Sequence, residues 1–283
     1  MPDAFHALEE TVTADVTRAL AEDVGSGDLT ATLVPADRRA KARLLTRQDA
    51  VLCGTEWFNR TFQELDPDVE IFWHARDGEA VAADTSLCEI DGAARPMLTA
   101  ERTALNFVQL LSGVATRTRR FVQAVEGTRA KIYDTRKTLP GLRIAGKYAV
   151  RVGGGMNHRI GLYDGILIKE NHLIAAGGVA KALEKAARAA PPGTMVEIEV
   201  ETLLQLQEAL DAGAKLILLD NFDLAAMKAA VKAARGHAEL EASGGVSLET
   251  VRAIAETGVD RISIGSLTKD IEAVDLSLRF LHR

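Results

Sequence analysis

Between Thr135 and Tyr163 the chain reads TRKTLPGLRIAGKYAVRVGGGMNHRIGLY, a stretch without a single acidic residue. It carries Arg136, Lys137, Arg143, Lys147, Arg151 and Arg159, with His158 beside the last. The protein as a whole is acidic, with 40 Asp and Glu against 34 Lys and Arg. A positive island in such a chain suits a compact, highly charged anion, because a cleft lined by one sign of charge focuses its field on the ligand. A second meaning is open for part of the row. Arg143, Lys147 and Arg151 follow i, i+4 spacing in a helix expected to be capped by Thr138, with Pro140 near its first turn and Gly153, Gly154 and Gly155 ending it. Such a row reads as a solvated basic face. Arg136, Lys137 and Arg159 flank that helix in loops and are the stronger candidates for the anion. His158 either polarises a substrate or satisfies backbone groups in the glycine turn.

Those side chains need a scaffold. From residue 131 onward short apolar runs alternate with helical patterns. The predicted strands are 131–134 (KIYD), 165–169 (GILIK), 195–200 (MVEIEV), 216–219 (LILL), 239–242 (ELEA) and 261–264 (RISI). Segments 202–212, 224–234 and 248–257 carry apolar residues at i, i+3, i+4 spacing. Strands alternating with helices predict βαβ units and a parallel sheet. Because the strands number six rather than eight, residues 113–270 are expected to form an incomplete β/α barrel. Residues 1–112 lack this alternation. Strands at 42–46, 69–73 and 87–90 with a helix at 56–65 predict a small α+β sandwich, so the fold class is α/β with an added N-terminal domain. Thr99 reads as the N-cap of a long connecting helix, with Glu101 in its first turn and a weak point at Gly113.

In β/α barrels, active sites form at the C-terminal ends of the strands. The residues following the six predicted strands are Thr135-Arg136-Lys137, Lys169-Glu170-Asn171, Glu197 with Glu199, Asp220-Asn221, Ser243-Gly244-Gly245 and Gly265-Ser266. Polar residues cluster in loops anyway, but six ends that each bear an anion-, metal- or hydroxyl-binding group point to a site. The last two ends suit phosphate, since glycine permits close backbone approach and free N–H groups at a helix start bind anions. Glu199 and Asp220 could converge on Mg²⁺, which is held by one or two carboxylates and substrate phosphate, or could pair with Lys169 or Lys137 in an ion network.

Composition bounds the alternatives. A net charge of −6 with no basic tail argues against nucleic acid as a partner. Cys53 and Cys88, the only cysteines, offer neither a disulfide framework nor a zinc motif. The N-terminal segment lacks the basic start and apolar core of a signal peptide, and no run reaches the roughly 18 apolar residues of a membrane helix. A cytoplasmic protein that does not contact membrane is the expectation.

The motifs DTRKTLPGLR, KYAVRVGGGMNHRIGLYDGILIKENH, EIEVET, LLDNF, EASGGV and IGSLTKD resemble the quinolinate phosphoribosyltransferase family, as do AEDVGSGDLTA and LTAERTALNFVQLLSG nearer the N-terminus. The resemblance spans nearly the whole chain in order. It implies transfer of phosphoribosyl from 5-phosphoribosyl 1-pyrophosphate to quinolinate with decarboxylation, giving nicotinate mononucleotide, CO₂ and pyrophosphate, a step of NAD biosynthesis. Both substrates are polyanions, in keeping with the basic island. By the same resemblance, Arg102, Arg136, His158 and Arg159 would surround the quinolinate carboxylates, a task for planar bidentate Arg, and Thr135 would be a further substrate-binding residue. Lys137 and Lys169 would reach phosphoribosyl and pyrophosphate oxygens, and Glu199 and Asp220 would engage ribose hydroxyls and Mg²⁺. Ser243, Gly244, Gly245, Ile264, Gly265 and Ser266 would hold the 5-phosphate. The family implies a homodimer in which Arg102 enters the neighbouring site and residues 271–283 return to the N-terminal domain. Relatives often carry a basic residue at or beside position 269; here Lys269 is followed by Asp270. Other classes stay open: a related branch with a different acceptor, nicotinate as acceptor, or a lyase using Lys169 as a Schiff-base nucleophile.

Overall fold

The computed structural model describes residues 8–281. Its chain begins with α1 (Leu8–Val24), followed by β1 (Arg39–Thr46), β2 (Ala50–Val51), α2 (Thr55–Gln63), β3 (Glu70–Trp73), β4 (Ala80–Val81), β5 (Ser86–Ala93) and the 31-residue α3 (Ala94–Ala124). Then come β6 (Lys131–Tyr133), α4 (Arg143–Val152), β7 (Gly165–Ile168), α5 (Glu170–Ala176), α6 (Val179–Ala189), β8 (Met195–Val200) and α7 (Leu203–Asp211). The last elements are β9 (Leu216–Asp220), α8 (Leu224–Ala234), β10 (Glu239–Ser243), α9 (Val251–Ala255), β11 (Arg261–Ser263), α10 (Ser266–Lys269) and β12 (Leu276–Leu281). No helix among the described residues is long and apolar enough to cross a membrane.

Two compact units result. One holds residues 120–138 and 155–267; the other holds the described residues up to 119, then 139–154 and 268–281. Helix α3 runs unbroken through position 112, and α4, inserted between β6 and β7, belongs to the unit built from the two chain ends.

That unit is organised by an antiparallel sheet in the order β12–β1–β5–β3. Strand β1 alternates as a half-buried strand must, with Ala42, Leu44 and Thr46 inward and Arg39, Lys41 and Arg43 more exposed. Its inward residues pack on Phe58 and Phe62 of α2 and on Met97, Ala100, Ala104, Leu105 and Val108 of α3. Strand β12 pairs with β1 from Lys41↔Leu281 to Thr46↔Leu276, so the C-terminal segment does return to this sheet. Gly113 is a docking point rather than a weak one. The helix continues through it, and a Cβ there would stand 2.2 Å from Glu272 O.

The other unit is a six-stranded parallel sheet in the order β6–β11–β10–β9–β8–β7. The first strand pairs with the last and the strands then run backward, so the sheet curls round and is left open between β6 and β7, an incomplete barrel. Its strands agree with the predicted runs because each has an apolar, largely buried centre, as strands covered on both faces favour; Ile132, Ile168, Ile198, Ile217, Leu219, Leu240 and Ile262 are all buried. Thr202 and Asp223 cap α7 and α8, accepting from Gln205 N (3.2 Å) and Ala226 N (2.7 Å).

Three local expectations are corrected. Helix α3 starts at Ala94, so Thr99 lies within it, its hydroxyl donating to Asp28 Oδ2 and Arg95 O. The helix after the first barrel strand starts at Arg143, not at Thr138, because Gly141 takes a left-handed φ of 79° before it. The row Arg143, Lys147 and Arg151 is not a solvated face, for Lys147 is fully buried. Helix α1, broken in sequence by frequent charges, was not expected; it buries Val12, Val16 and Leu20, and its buried Asp15 accepts from Trp57 Nε1 and Arg18.

Candidate active site

The C-terminal ends of the six barrel strands carry the candidate site residues. After β6 the Lys137 N–H donates to Thr135 Oγ1 at 3.0 Å, a local turn that holds the exposed lysine beside the half-buried Arg136. Pairing of β6 with β11 brings this turn against Gly265, where a Cβ would stand 3.0 Å from Lys137 Cδ and 3.5 Å from Thr135 Oγ1. Glycine at 265 therefore lets the two strand ends meet.

The next three ends carry one cation and two anions. Lys169 follows β7 and donates through Nζ to Glu199 Oε2 at 2.8 Å. Glu199 lies on β8 and Asp220 ends β9. Partial burial and the neighbouring Glu199 carboxylate raise the Asp220 carboxyl above its ordinary value, against the opposing charges of Lys169 and Lys137. Lys137, Lys169, Glu199 and Asp220 therefore share one electrostatic neighbourhood.

Ser243 lies opposite Asp220 in the β10–β9 register, and Asn221 N–H donates to Ser243 O at 3.0 Å. Gly244 and Gly245 both adopt left-handed backbone, φ 103° and 58°. At Gly244 a side chain is excluded outright, since its Cβ would fall 2.1 Å from Asn221 Oδ1. At the last end Ile264 is buried and its N–H is spent on Tyr133 O, so it holds the loop and offers no donor of its own. Ser266 Oγ is buried at the start of α10 without a protein partner, as a hydroxyl reserved for an anion would be.

The loop of the basic island carries a buried cluster. Asp134, fully buried, accepts from Asn157 Nδ2 (2.6 Å) and His158 N (2.8 Å). Arg159 N–H donates to His158 Nδ1 at 2.8 Å, and His158 Nε2 lies 2.7 Å from Glu197 Oε2. Arg159 is anchored through its guanidinium to Gly165 O at 3.0 Å. Burial, then the nearby Arg136 charge, lower its basicity. Both ring nitrogens of His158 are thus engaged with protein, one with backbone and one with a carboxylate. Arg102 belongs to the other compact unit, exposed on α3.

The comparisons decide the family. Two family descriptions match consecutive stretches, "Quinolinate phosphoribosyl transferase, N-terminal domain" over residues 28–112 and the C-terminal domain of the same enzyme over residues 114–279. The chain belongs to the quinolinate phosphoribosyl transferase family. Among relatives, a nicotinate-nucleotide pyrophosphorylase [carboxylating] of Mycobacterium leprae is 43% identical over 281 residues, 97% of each chain. A probable enzyme of that name from Bacillus subtilis is 41% identical over 257 residues, 91% of this chain and 89% of its own. The solved nicotinate-nucleotide pyrophosphorylase of Francisella tularensis superposes with a TM-score of 0.93 at 46% identity, covering 96% of each chain.

As a quinolinate phosphoribosyl transferase the chain keeps every sequence-selected residue except Arg102 within one barrel unit. Glu241 and Asp134 went unselected and Glu197 was named only beside Glu199 with no role, although all three lie in motifs that carried the resemblance. For Glu197 and Glu241 the signal was a carboxylate among the apolar residues of a strand, where burial of charge is costly unless it is paired and hydrogen-bonded. Lys269, bonded to both oxygens of the neighbouring Asp270 at 2.8 and 2.9 Å, has its charge answered locally.

Proposed function

We infer that the chain transfers phosphoribosyl from 5-phosphoribosyl 1-pyrophosphate to quinolinate, releasing pyrophosphate and CO₂ and forming nicotinate mononucleotide. The carrying observation is the ring of strand ends, cationic at Arg136, Lys137, Arg159 and Lys169, acidic at Glu199 and Asp220, and glycine-rich at 244–245 and 265, in a chain that matches both domains of the family.

The pyridine nitrogen is itself the nucleophile, so no general base is needed to activate it. The ribose C1–oxygen bond breaks with pyrophosphate leaving, supported by Lys137 and Lys169. Glu199 and Asp220 stabilise positive charge at C1 by preorganised electrostatics. The N-ribosylated ring is cationic and accepts the electron pair released when the 2-carboxylate departs as CO₂, after which C2 takes a proton. Arg136 and Arg159 orient quinolinate by its carboxylates.

The two rim carboxylates fit Mg²⁺ as hard oxygen donors, too few to complete a shell, which substrate oxygens and water would finish. Bound there, the ion would neutralise charge developing on pyrophosphate. A homodimer in which Arg102 serves the partner's site completes the proposal, supported by its exposure on α3.

The test is turnover of quinolinate with phosphoribosyl pyrophosphate and Mg²⁺, following nicotinate mononucleotide and CO₂ together, with nicotinate in parallel. Both products from quinolinate alone are expected. Product from nicotinate, or none with phosphoribosyl pyrophosphate still bound, would reassign the acceptor.

A further inference from the structure

The fully buried Glu197 carboxylate has no place in the reaction just described, yet it makes a 2.7 Å contact with His158 Nε2. The ring's protonation follows from geometry. Arg159 N–H points at Nδ1 from 2.8 Å, so Nδ1 must present its lone pair, and the single ring proton sits on Nε2 and is donated to Glu197 Oε2. Asp134 fixes the other side of the residue through the His158 N–H. The His158 side chain is 6% exposed, with both ring nitrogens engaged by protein.

We propose that Glu197 is a positioning residue for the carboxylate-binding edge of the site. It sets the tautomer and orientation of His158, and His158 in turn sets the main chain of Arg159. The inference rests on the quinolinate reading of that edge. It gives His158 a supporting task and extends the binding machinery one layer into the barrel.

A metal centre is the competing use of this cluster, since His158, Glu197 and Glu241 bring potential ligand atoms within 4.8 Å of one another. The tautomer opposes it. A metal on Nε2 would move the ring proton to Nδ1, where it would face the Arg159 N–H donor head-on. Glu241 Oε1 lies 3.9 Å from Nε2, beyond hydrogen-bond reach, and Glu197 Oε1 has no protein partner. A glutamine at 197 can therefore accept from His158 with its carbonyl while directing its amide N–H towards Glu241.

The test compares Glu197→Leu with Glu197→Gln in the full-length protein by steady-state kinetics on both substrates, with nitrogen-15 spectra of the parent's imidazoles. Glu197→Leu is expected to raise the quinolinate KM roughly tenfold or more while leaving the phosphoribosyl pyrophosphate KM within about twofold, and Glu197→Gln to recover most of that loss. Equal rises in both KM values, or equal damage from both substitutions, would overturn the proposal. Should Glu197→Leu fail to fold, the spectra decide alone: a His158 proton on Nε2 supports the relay, and one on Nδ1 sinks it. If the parent left quinolinate untouched, the functional reading would fall, while the spectra would still decide the Glu197–His158 contact.

Discussion

Lys169 Nζ stands 2.8 Å from Glu199 Oε2, joining the ends of two adjacent barrel strands with the lysine side chain 51% exposed and the carboxylate 13%. The pair keeps a cation and an anion side by side at the mouth of the barrel, each compensated until a substrate separates their tasks. Its lysine is exposed enough to swing to a pyrophosphate oxygen. Lys169→Ala is therefore expected to lower kcat by about 10²-fold, the scale of a lost electrostatic contact in a transition state. Steady-state rates with both substrates saturating check this, and a change below about threefold would remove Lys169 from the chemistry.

The Arg136 charge helps lower the basicity of Arg159, a repulsion that a bound dicarboxylate would relieve. Arg136→Ala should lower kcat/KM for quinolinate by about 10²-fold, with Arg136→Lys recovering only part, because an ammonium lacks the planar fork. Near-parental kcat/KM in Arg136→Ala would exclude it from the site.

Glu241 gives a pH dependence of stability with a definite sign. Burial, then the adjacent Glu197, push its carboxyl from 4.5 up to about 7. The folded protein thus holds this proton more tightly than the unfolded chain. The stabilisation is complete below the unfolded value and is lost as pH rises through about 7. Glu241→Gln should melt at nearly the parental temperature at pH 4 and roughly 5 °C above the parent at pH 8. The same difference at both pH values in calorimetry would show that the carboxyl is not perturbed.

Gly113 accepts no side chain, since a Cβ would lie 2.2 Å from Glu272 O, a backbone atom. Gly113→Ala should destabilise the protein by about 1–3 kcal/mol despite alanine's better helix propensity, because packing outweighs propensity at such a contact. A melting temperature equal to or above the parent's would contradict this.

If each site draws Arg102 from a second chain, Arg102→Ala and Lys169→Ala proteins should each be poorly active and should complement when mixed. Random re-pairing leaves one intact site in each heterodimer, for about a quarter of parental activity. Mixtures no more active than the average of the two would argue for a site within one chain.

Much of the barrel was written locally. Its six strands are short runs with apolar centres bounded by polar loops, the composition that burial on both faces favours, so strand positions and the polar residues after them followed from pattern alone. The end of each strand also named its candidate residue, from Lys137 and Lys169 to Asp220 and Ser266. What pattern could not reach depends on contacts distant in sequence. The burial of Lys147, the start of α3 before Thr99 and the docking of Gly113 on Glu272 are such facts. In the site the division is the same. Residue types alone suggested an anion and its charge complement, because charge is a property of the side chain. The state of His158, with its proton on Nε2, its Nδ1 facing Arg159 N–H and Glu197 beneath, exists only once β8 and the glycine loop have been brought together, since hydrogen-bond direction is a property of geometry that no residue carries by itself.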